Sequence, residues 1–348
     1  MNRKKIILGI RIFVAISLLT QIGIFILPSF HKINGSIHIV PHSLNFFMLF
    51  IAFSASWLEG PLGGLRTYYI MKVITPAITF KSAVKASYGN IFLGAATPSQ
   101  TGGGVAEIYF ITRDDIPIPE ATAGTIMTFI CTLFFLTIAL FLVYYFQTQA
   151  MGSLFSVMIK TASIMMAAAT GIFLISIIFT NSVNRIILYV FYSLKKSGRT
   201  IDRHGKIEHR LTRICEGLLN YRGASIFMYR NGKMAMVLGF IFTCLFFATR
   251  FIIPYFLVRG LGMDADFFVI VYIQLLITLI TYFSPTPGGS GLAEISSLVL
   301  MGSFVTDAIA PLYTVLWRFS TLYVNVFIGG VLLLHELQKP EQTAEKQP

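Results

Sequence analysis

Long apolar stretches are the feature that most constrains this chain. Six segments, each about as long as a bilayer-spanning helix, are predominantly apolar: residues 6–27, 42–58, 121–146, 161–180, 234–258 and 308–334. An α-helix needs about 20 such residues to cross the hydrocarbon core. Only 12% of the 348 residues are charged, against roughly 25% in a soluble domain. The sequence therefore predicts an all-α polytopic membrane protein with six full spans.

Two further apolar segments are interrupted by turns rich in glycine and proline. The first turn, residues 97–104 (TPSQTGGG), lies between short apolar arms at 87–96 and 105–111. The second turn, residues 284–291 (SPTPGGSG), follows an apolar arm at 267–283 and precedes a short one at 292–303. Proline and glycine end helices. We therefore predict two re-entrant helical hairpins, each of which enters and leaves the membrane on one side.

The distribution of Lys and Arg sets the predicted orientation. With a cytoplasmic N-terminus, twenty-two of these residues lie on the cytoplasmic side, and only Lys32, Lys160 and Arg259 lie outside. Eleven of them fall in residues 181–233, which we interpret as a basic cytoplasmic loop with amphipathic helices on anionic lipid. Docking of a partner is the alternative for this loop. The net charge of +12 thus reflects topology and not nucleic-acid binding, and residues 337–348 are predicted to form a polar cytoplasmic tail.

The two turns belong to an internal repeat. Residues 97–107 (TPSQTGGGVAE) align without a gap with residues 284–294 (SPTPGGSGLAE). The predicted orientation makes the copies antiparallel in the membrane, as in inverted-repeat transporters, with repeat A at about 42–147 and repeat B at about 234–336. A transport cavity would then be bordered by the turn residues Pro98, Gly102, Gly103, Gly104, Pro285, Pro287, Gly288, Gly289 and Gly291. The alternative is that the glycines only let helices pack closely.

Four ionisable residues are predicted to lie within the membrane: Glu107 and Glu294 after the two turns, and Arg250 and Arg318 within the last two full spans. Charges at this depth are costly unless they are paired or hydrated. Two salt bridges that pin the hairpins are one interpretation. The other is that the arginines bind a lipid phosphate through their planar guanidinium groups, with the acids releasing them to the substrate.

These motifs, with Arg66 after the second span, Thr-Arg-Phe around Arg250 and Trp317-Arg318, resemble the lysylphosphatidylglycerol synthase/flippase transmembrane family. The resemblance covers about residues 6–334. Residues 284–294 are similar to the family's P-x-P-G-G-x-G-x-x-E, whereas the first copy departs from it at Ser99-Gln100-Thr101. The resemblance implies substrate-binding roles for Arg66, Arg250, Arg318, Glu107 and Glu294. It also implies lipid metabolism, lipid transport and antibiotic resistance as the biological setting.

Full-length members of that family make lysyl-phosphatidylglycerol from lysyl-tRNA in a soluble C-terminal domain and move it across the membrane. Residues 338–348 are too few for such a domain, so we expect the translocation half alone. The leading hypothesis is a cell-membrane lipid translocase for an anionic or aminoacylated phospholipid or a lipid-linked glycan. We expect membrane lipid as the partner, no directly bound nucleic acid, no cofactor, no metal and no catalytic residue.

Two other classes of function remain open from the sequence. One is an enzyme, either a phosphatidylglycerol lysyltransferase by family name or a glycosyltransferase that uses the DxD pattern at Asp264-Ala265-Asp266. The other is a membrane scaffold that transports nothing and docks a separate soluble synthase through residues 181–233.

Overall fold

The computed structural model describes residues 44–147, 153–179 and 231–338, together with isolated positions 19, 22, 23, 185, 188, 189, 193, 223, 226–228 and 230. The predicted first span, the basic loop and the polar tail lie almost wholly outside these residues.

The described residues form helices joined by short turns. In chain order these are α1 (Phe46–Ser56), α2 (Glu59–Ile74), α3 (Phe80–Ala95), α4 (Gly102–Thr112), α5 (Ile118–Gln147), α6 (Ser153–Ile178), α7 (Lys233–Gly260), α8 (Phe267–Phe283), α9 (Leu292–Met301) and α10 (Ala310–Arg318), followed by a π-helix (Phe319–Tyr323) and α11 (Val324–Gln338). The two Gly-rich turns join α3 to α4 and α8 to α9.

Five stretches in the described residues are long and apolar enough to cross a membrane. They are Phe46–Ile74, Ile118–Phe146, Ser156–Ile175, Lys233–Gly260 and Ala310–Gln338. They correspond to the second to sixth predicted spans, and the all-helical membrane class is confirmed. The helices that flank the second turn, α8 and α9, are shorter and also apolar.

The side chains are distributed as in a protein surrounded by lipid. Large apolar residues face outward, among them Phe46 and Phe327, each 73% exposed. Charged residues lie inside, and Glu59, Glu294 and Arg318 are at most 3% exposed. A soluble domain almost never buries such groups fully unless they are paired. This distribution therefore fits a protein whose surface contacts hydrocarbon and whose charged side chains make polar contacts inside it.

The second predicted span was wrong at its end. The predicted end lies at residue 58, and α1 does end at Ser56, but after a turn at residues 57–58 the helical stretch resumes as α2 and extends to Ile74. Pro61 lies in the first turn of α2, where its missing N–H breaks no helical hydrogen bond. Gly64 is required because a Cβ there would lie 2.8 Å from Val84 Cα in α3. The glycines permit close helix packing here and do not end the helix.

The described residues divide into two compact units. The first comprises residues 44–65, 80–110 and 244–338 and contains both Gly-rich turns. In it α3 packs closely against α11, since a Cβ at Gly329 would lie 2.7 Å from Phe92 Cβ and would also meet the Tyr88 carbonyl oxygen. Phe53 of α1 meets Phe319 of the π-helix edge to face, with ring centroids 6.0 Å apart.

The second unit comprises residues 66–79 and the described part of 111–243. In it α5 packs against α6 through a hydrogen bond between the Thr137 and Thr170 hydroxyls, 2.8 Å long. Ile70, Met127, Ile130, Cys131 and Met228 form a buried apolar cluster. A threonine pair can join two helices in lipid because each hydroxyl satisfies the other.

Gly329→Ala should lower the thermal unfolding midpoint of the purified protein. The added Cβ meets backbone atoms of α3, and overpacking of this kind typically costs about 1–3 kcal/mol. Gly171→Ala is the matched control, because a Cβ at Gly171 has no atom within 4 Å and alanine favours helix by about 0.5–1 kcal/mol. Equal midpoints for the two variants would contradict the close packing of α3 and α11.

Candidate functional site

The two Gly-rich turns touch each other. The Ser99 N–H donates to the Ser284 carbonyl oxygen at 2.9 Å, and the Ser99 hydroxyl donates to the same oxygen at 3.1 Å. Pro98 and Pro287 lie opposite each other as an antiparallel bridge. The two turns are therefore in direct contact. In hydrocarbon such exposed backbone must be satisfied within the protein or by water, and each turn does this in part for the other.

The second turn depends on left-handed glycines. Gly288, Gly289 and Gly291 have φ of 62°, 67° and 89°, a region that other residues rarely adopt. A Cβ at Gly289 would also lie 2.7 Å from Thr281 Cγ2. The Thr286 hydroxyl donates to the Ser290 carbonyl at 2.8 Å and closes the turn.

The first turn has another backbone despite the sequence match. Here the left-handed residues are Ser99 and Gln100, with φ of 51° and 55°. The Thr97 hydroxyl accepts the Gly102 N–H at 2.8 Å and donates to the Leu93 carbonyl at 2.7 Å. The departure at Ser99-Gln100-Thr101 therefore gives a differently built turn, closed by a threonine side chain.

A buried ion pair joins the second turn to the last long helical stretch. Arg318 Nε donates to Glu294 Oε1 at 2.8 Å, and its Nη2 donates to the Gly289 carbonyl at 3.4 Å. The other carboxylate oxygen of Glu294 accepts the Gly291 N–H at 2.7 Å. Both oxygens of the acid are thus satisfied. The guanidinium also lies 5.0 Å from the Trp317 ring centroid, close enough for a cation–π interaction.

The other predicted site residues have separate surroundings. Glu107, 1% exposed, accepts a hydrogen bond from the Asn90 amide at 2.7 Å. Arg250 interacts electrostatically with Glu59. Arg66 belongs to the second unit, where it is buried and donates to the Thr132 hydroxyl at 3.1 Å.

The sequence reasoning missed two polar residues of the first unit. Glu59 and Asn325 are both fully buried, and the Asn325 amide donates to Glu59 Oε2 at 3.3 Å. Glu59 lies just past the predicted end of the second span at residue 58, and Asn325 carries no charge, so neither stands out among the ionisable residues of the predicted spans. An acid and an amide in apolar surroundings were the available signal. The Trp317 indole N–H is also buried without a hydrogen-bond partner.

The DxD pattern has structural roles in the fold. Asp264 forms an ion pair with Arg259 at the end of α7, and Asp266 caps α8 by accepting the Val269 N–H at 3.0 Å. Among the described residues, no group of three His, Cys, Asp or Glu side chains is placed to hold a metal ion. The geometry gives no support to a metal–nucleotide site at Asp264.

The described residues form a helical membrane protein in which charged groups are buried beside two contacting turns. Residues 6–329 match the family described as the lysylphosphatidylglycerol synthase TM region, and the chain belongs to that family. It is also similar to a UPF0104 membrane protein of Archaeoglobus fulgidus. The two are 23% identical over 313 residues, which cover 85% of this chain and 88% of the archaeal protein.

The Arg318–Glu294 pair should show strong energetic coupling. We expect Arg318→Met or Glu294→Gln alone to be strongly destabilising, since breaking a buried pair costs about 3–5 kcal/mol. The double variant should lose less than the sum of the two, because neither charge is then left alone. Thermal unfolding of the four proteins in detergent measures this cycle.

The surface pair Arg259 and Asp264 provides the control for this cycle. The side chain of Asp264 is 96% exposed, and exposed pairs contribute about 0–1 kcal/mol. Arg259→Met and Asp264→Asn should therefore change stability little. Additive losses at Arg318 and Glu294 would contradict a direct buried ion pair.

Proposed function

We propose that this chain is a lipid translocase of the cell membrane. Its substrate class is an anionic or aminoacylated phospholipid such as lysyl-phosphatidylglycerol, or a lipid-linked glycan. The observation that carries the proposal is the contact between the two turns, with the Arg318–Glu294 pair buried directly behind the second. Irregular backbone and charge inside a lipid-facing helical protein are typical of substrate pathways.

The ion pair supports a particular way of binding a headgroup. A phosphate can take the place of Glu294 and the Gly289 carbonyl on Arg318, since guanidinium binds phosphate in a bidentate manner. The unpartnered Trp317 N–H offers a further donor beside Arg318. Glu294 keeps the Gly291 N–H and frees its other oxygen for a cation.

This exchange of partners favours a headgroup that carries both charges. An aminoacyl ester of phosphatidylglycerol has one phosphate and protonated amines, so it can replace each half of the Arg318–Glu294 pair. Phosphatidylglycerol alone would leave the buried Glu294 charge without a cation, which is costly. Aminoacylated phospholipid is therefore the preferred substrate.

The proposed topology has six spans, two re-entrant hairpins at α3–α4 and α8–α9, and cytoplasmic termini. The short apolar helices α8 and α9 and the distribution of Lys and Arg support it. Repeat A at about 42–147 and repeat B at about 234–336 would then be related by inversion.

Accessibility of single cysteines tests this topology. In a chain with Cys131, Cys215 and Cys244 replaced by Ala, cysteines at Gly205 and Thr343 should react with an impermeant maleimide only from the cytoplasm. Cysteines at Gly35 and Ala265 should react only from outside. A re-entrant hairpin enters and leaves on the same side, so it does not change the direction in which the later spans cross the membrane. Reaction of position 265 from the cytoplasm would rule out the six-span arrangement.

Transport is tested with purified protein in vesicles of phosphatidylethanolamine and phosphatidylglycerol that contain traces of fluorescent lysyl-phosphatidylglycerol. Dithionite outside the vesicles bleaches only probe in the outer leaflet. We expect the protein to bring inner-leaflet probe within reach of dithionite, faster than it moves fluorescent phosphatidylglycerol. Rates equal to those of protein-free vesicles would refute the translocase proposal.

A reversible crosslink between the turns serves as the matched control within this assay. Opposed residues of an antiparallel bridge have Cα atoms about 4.5–5.5 Å apart, which suits a disulfide. The cysteine-free chain carrying Pro98→Cys and Pro287→Cys should lose transport on oxidation and regain it on reduction, since the turns must separate for a headgroup to pass. The single cysteine variants should not respond to oxidation.

A further inference from the structure

A buried carboxyl lies in the first unit, apart from the Arg318–Glu294 pair. Glu59 opens α2, and its side chain is fully buried. Its Oε2 accepts the Asn325 amide at 3.3 Å, whereas its Oε1 has no hydrogen-bond partner. Asn325 in α11 is also fully buried, and its Oδ1 has no partner either.

Three helices bring polar or charged groups toward Glu59. Arg250 of α7 and Tyr88 of α3 both interact with it electrostatically. The Tyr88 ring also packs directly over Gly60, and α11 contributes Asn325. No described Lys, Arg or His forms an ion pair with Glu59 within 4 Å. The positive charge of Arg250 therefore acts on Glu59 electrostatically, but no described cation forms an ion pair with Glu59.

The hydrogen bonds of this pair are incomplete for an ionised acid. Carboxylate and amide together present two buried acceptor oxygens, Glu59 Oε1 and Asn325 Oδ1, with no donor for either. Leaving buried acceptors unsatisfied costs about 1–3 kcal/mol each. A proton on Oε1 turns that oxygen into a donor that can bind Asn325 Oδ1. Carboxylic acid and amide then form a cyclic pair with two hydrogen bonds.

We propose that Glu59 and Asn325 form a proton-binding site within the membrane domain. In the described conformation Glu59 is a carboxylic acid held by Asn325. When the pair opens, its proton passes to water, and the carboxylate that remains is stabilised by the positive charge of Arg250. Burial disfavours the charged form and Arg250 favours it, so a shift of one helix is enough to change the balance.

The π-helix connects the Glu59–Asn325 pair to the proposed headgroup site at Arg318 and Glu294. Arg318 and Asn325 flank the π-helix Phe319–Tyr323, and π-helical turns are rare and often functional. A rearrangement there moves both side chains relative to their partners Glu294 and Glu59. This arrangement couples proton release at Glu59 to exchange of the Arg318 ion pair. If the chain is a lipid translocase, as proposed above, a proton gradient then drives lipid movement.

Infrared difference spectroscopy of the full chain in lipid tests proton binding without any transport. On a step to alkaline pH, we expect the C=O stretching band of a protonated carboxyl to disappear. Glu59→Gln should lack this band. Glu336→Gln should retain it, because Glu336 is a buried acid that is already paired with Lys85. A wild-type spectrum without the band at any pH, or the same band in Glu59→Gln, would overturn the proposal.

Asn325→Leu provides a second variant in case Glu59→Gln fails to fold. It removes the amide but keeps the acid, so the carboxyl band should move to the higher frequency of a free acid. An unchanged frequency would contradict the pairing.

In vesicles, an imposed pH gradient should stimulate probe movement in wild type and not in Glu59→Gln. A wild-type spectrum that lacks the band at every pH refutes the proton site, whereas a titrating band without lipid movement refutes the translocase alone.

Discussion

The cost of burying charge in an apolar protein determines much of this structure. Arg318 and Glu294 are each nearly inaccessible to solvent, so each needs the other and a full set of hydrogen bonds. The Gly291 N–H and the Gly289 carbonyl complete that set. Those backbone groups are available only because the second turn leaves helical geometry at residues with positive φ. The ion pair, the irregular turn and the last helical stretch therefore depend on one another.

The two turns solve one problem with different chemistry. Each must satisfy backbone groups that its broken helix leaves free, and they share part of this task through the Ser99–Ser284 contact. The second uses left-handed glycines, whereas the first places Ser99 and Gln100 in that region and closes the turn with Thr97. Residues other than glycine that adopt a positive φ each store strain of about 1–3 kcal/mol. The contact between the turns is thus held from one side by a relaxed backbone and from the other by a strained one.

The parts of the fold that follow from length and hydropathy could be predicted from the sequence. The last four spans and the helices around the second turn lie close to the predicted ranges, because apolar length is a nearly sufficient condition for a helix in lipid. The extent of α2 could not be predicted this way, since Gly60-Pro61 and Gly64 look like helix breakers until Val84 and Tyr88 of α3 are known to pack there. Which base meets which acid was also beyond the sequence. Arg318 with Glu294 was one of several possible pairings, and Glu59 beside Arg250 was not among them.

The π-helix explains why polar groups on this last stretch can serve two sites. Arg318 and Asn325 are seven residues apart, about two turns of regular helix, which would place them on nearly one face. Five of the residues between them adopt the wider π geometry, which changes the angle between the two side chains around the helix axis. Arg318 meets Glu294 of α9, whereas Asn325 meets Glu59 of α2. Return of this segment to regular α-helix would rotate one residue relative to the other, so both pairs cannot keep their present geometry. The irregular turn therefore links the energies of two buried acids that lie in different helices.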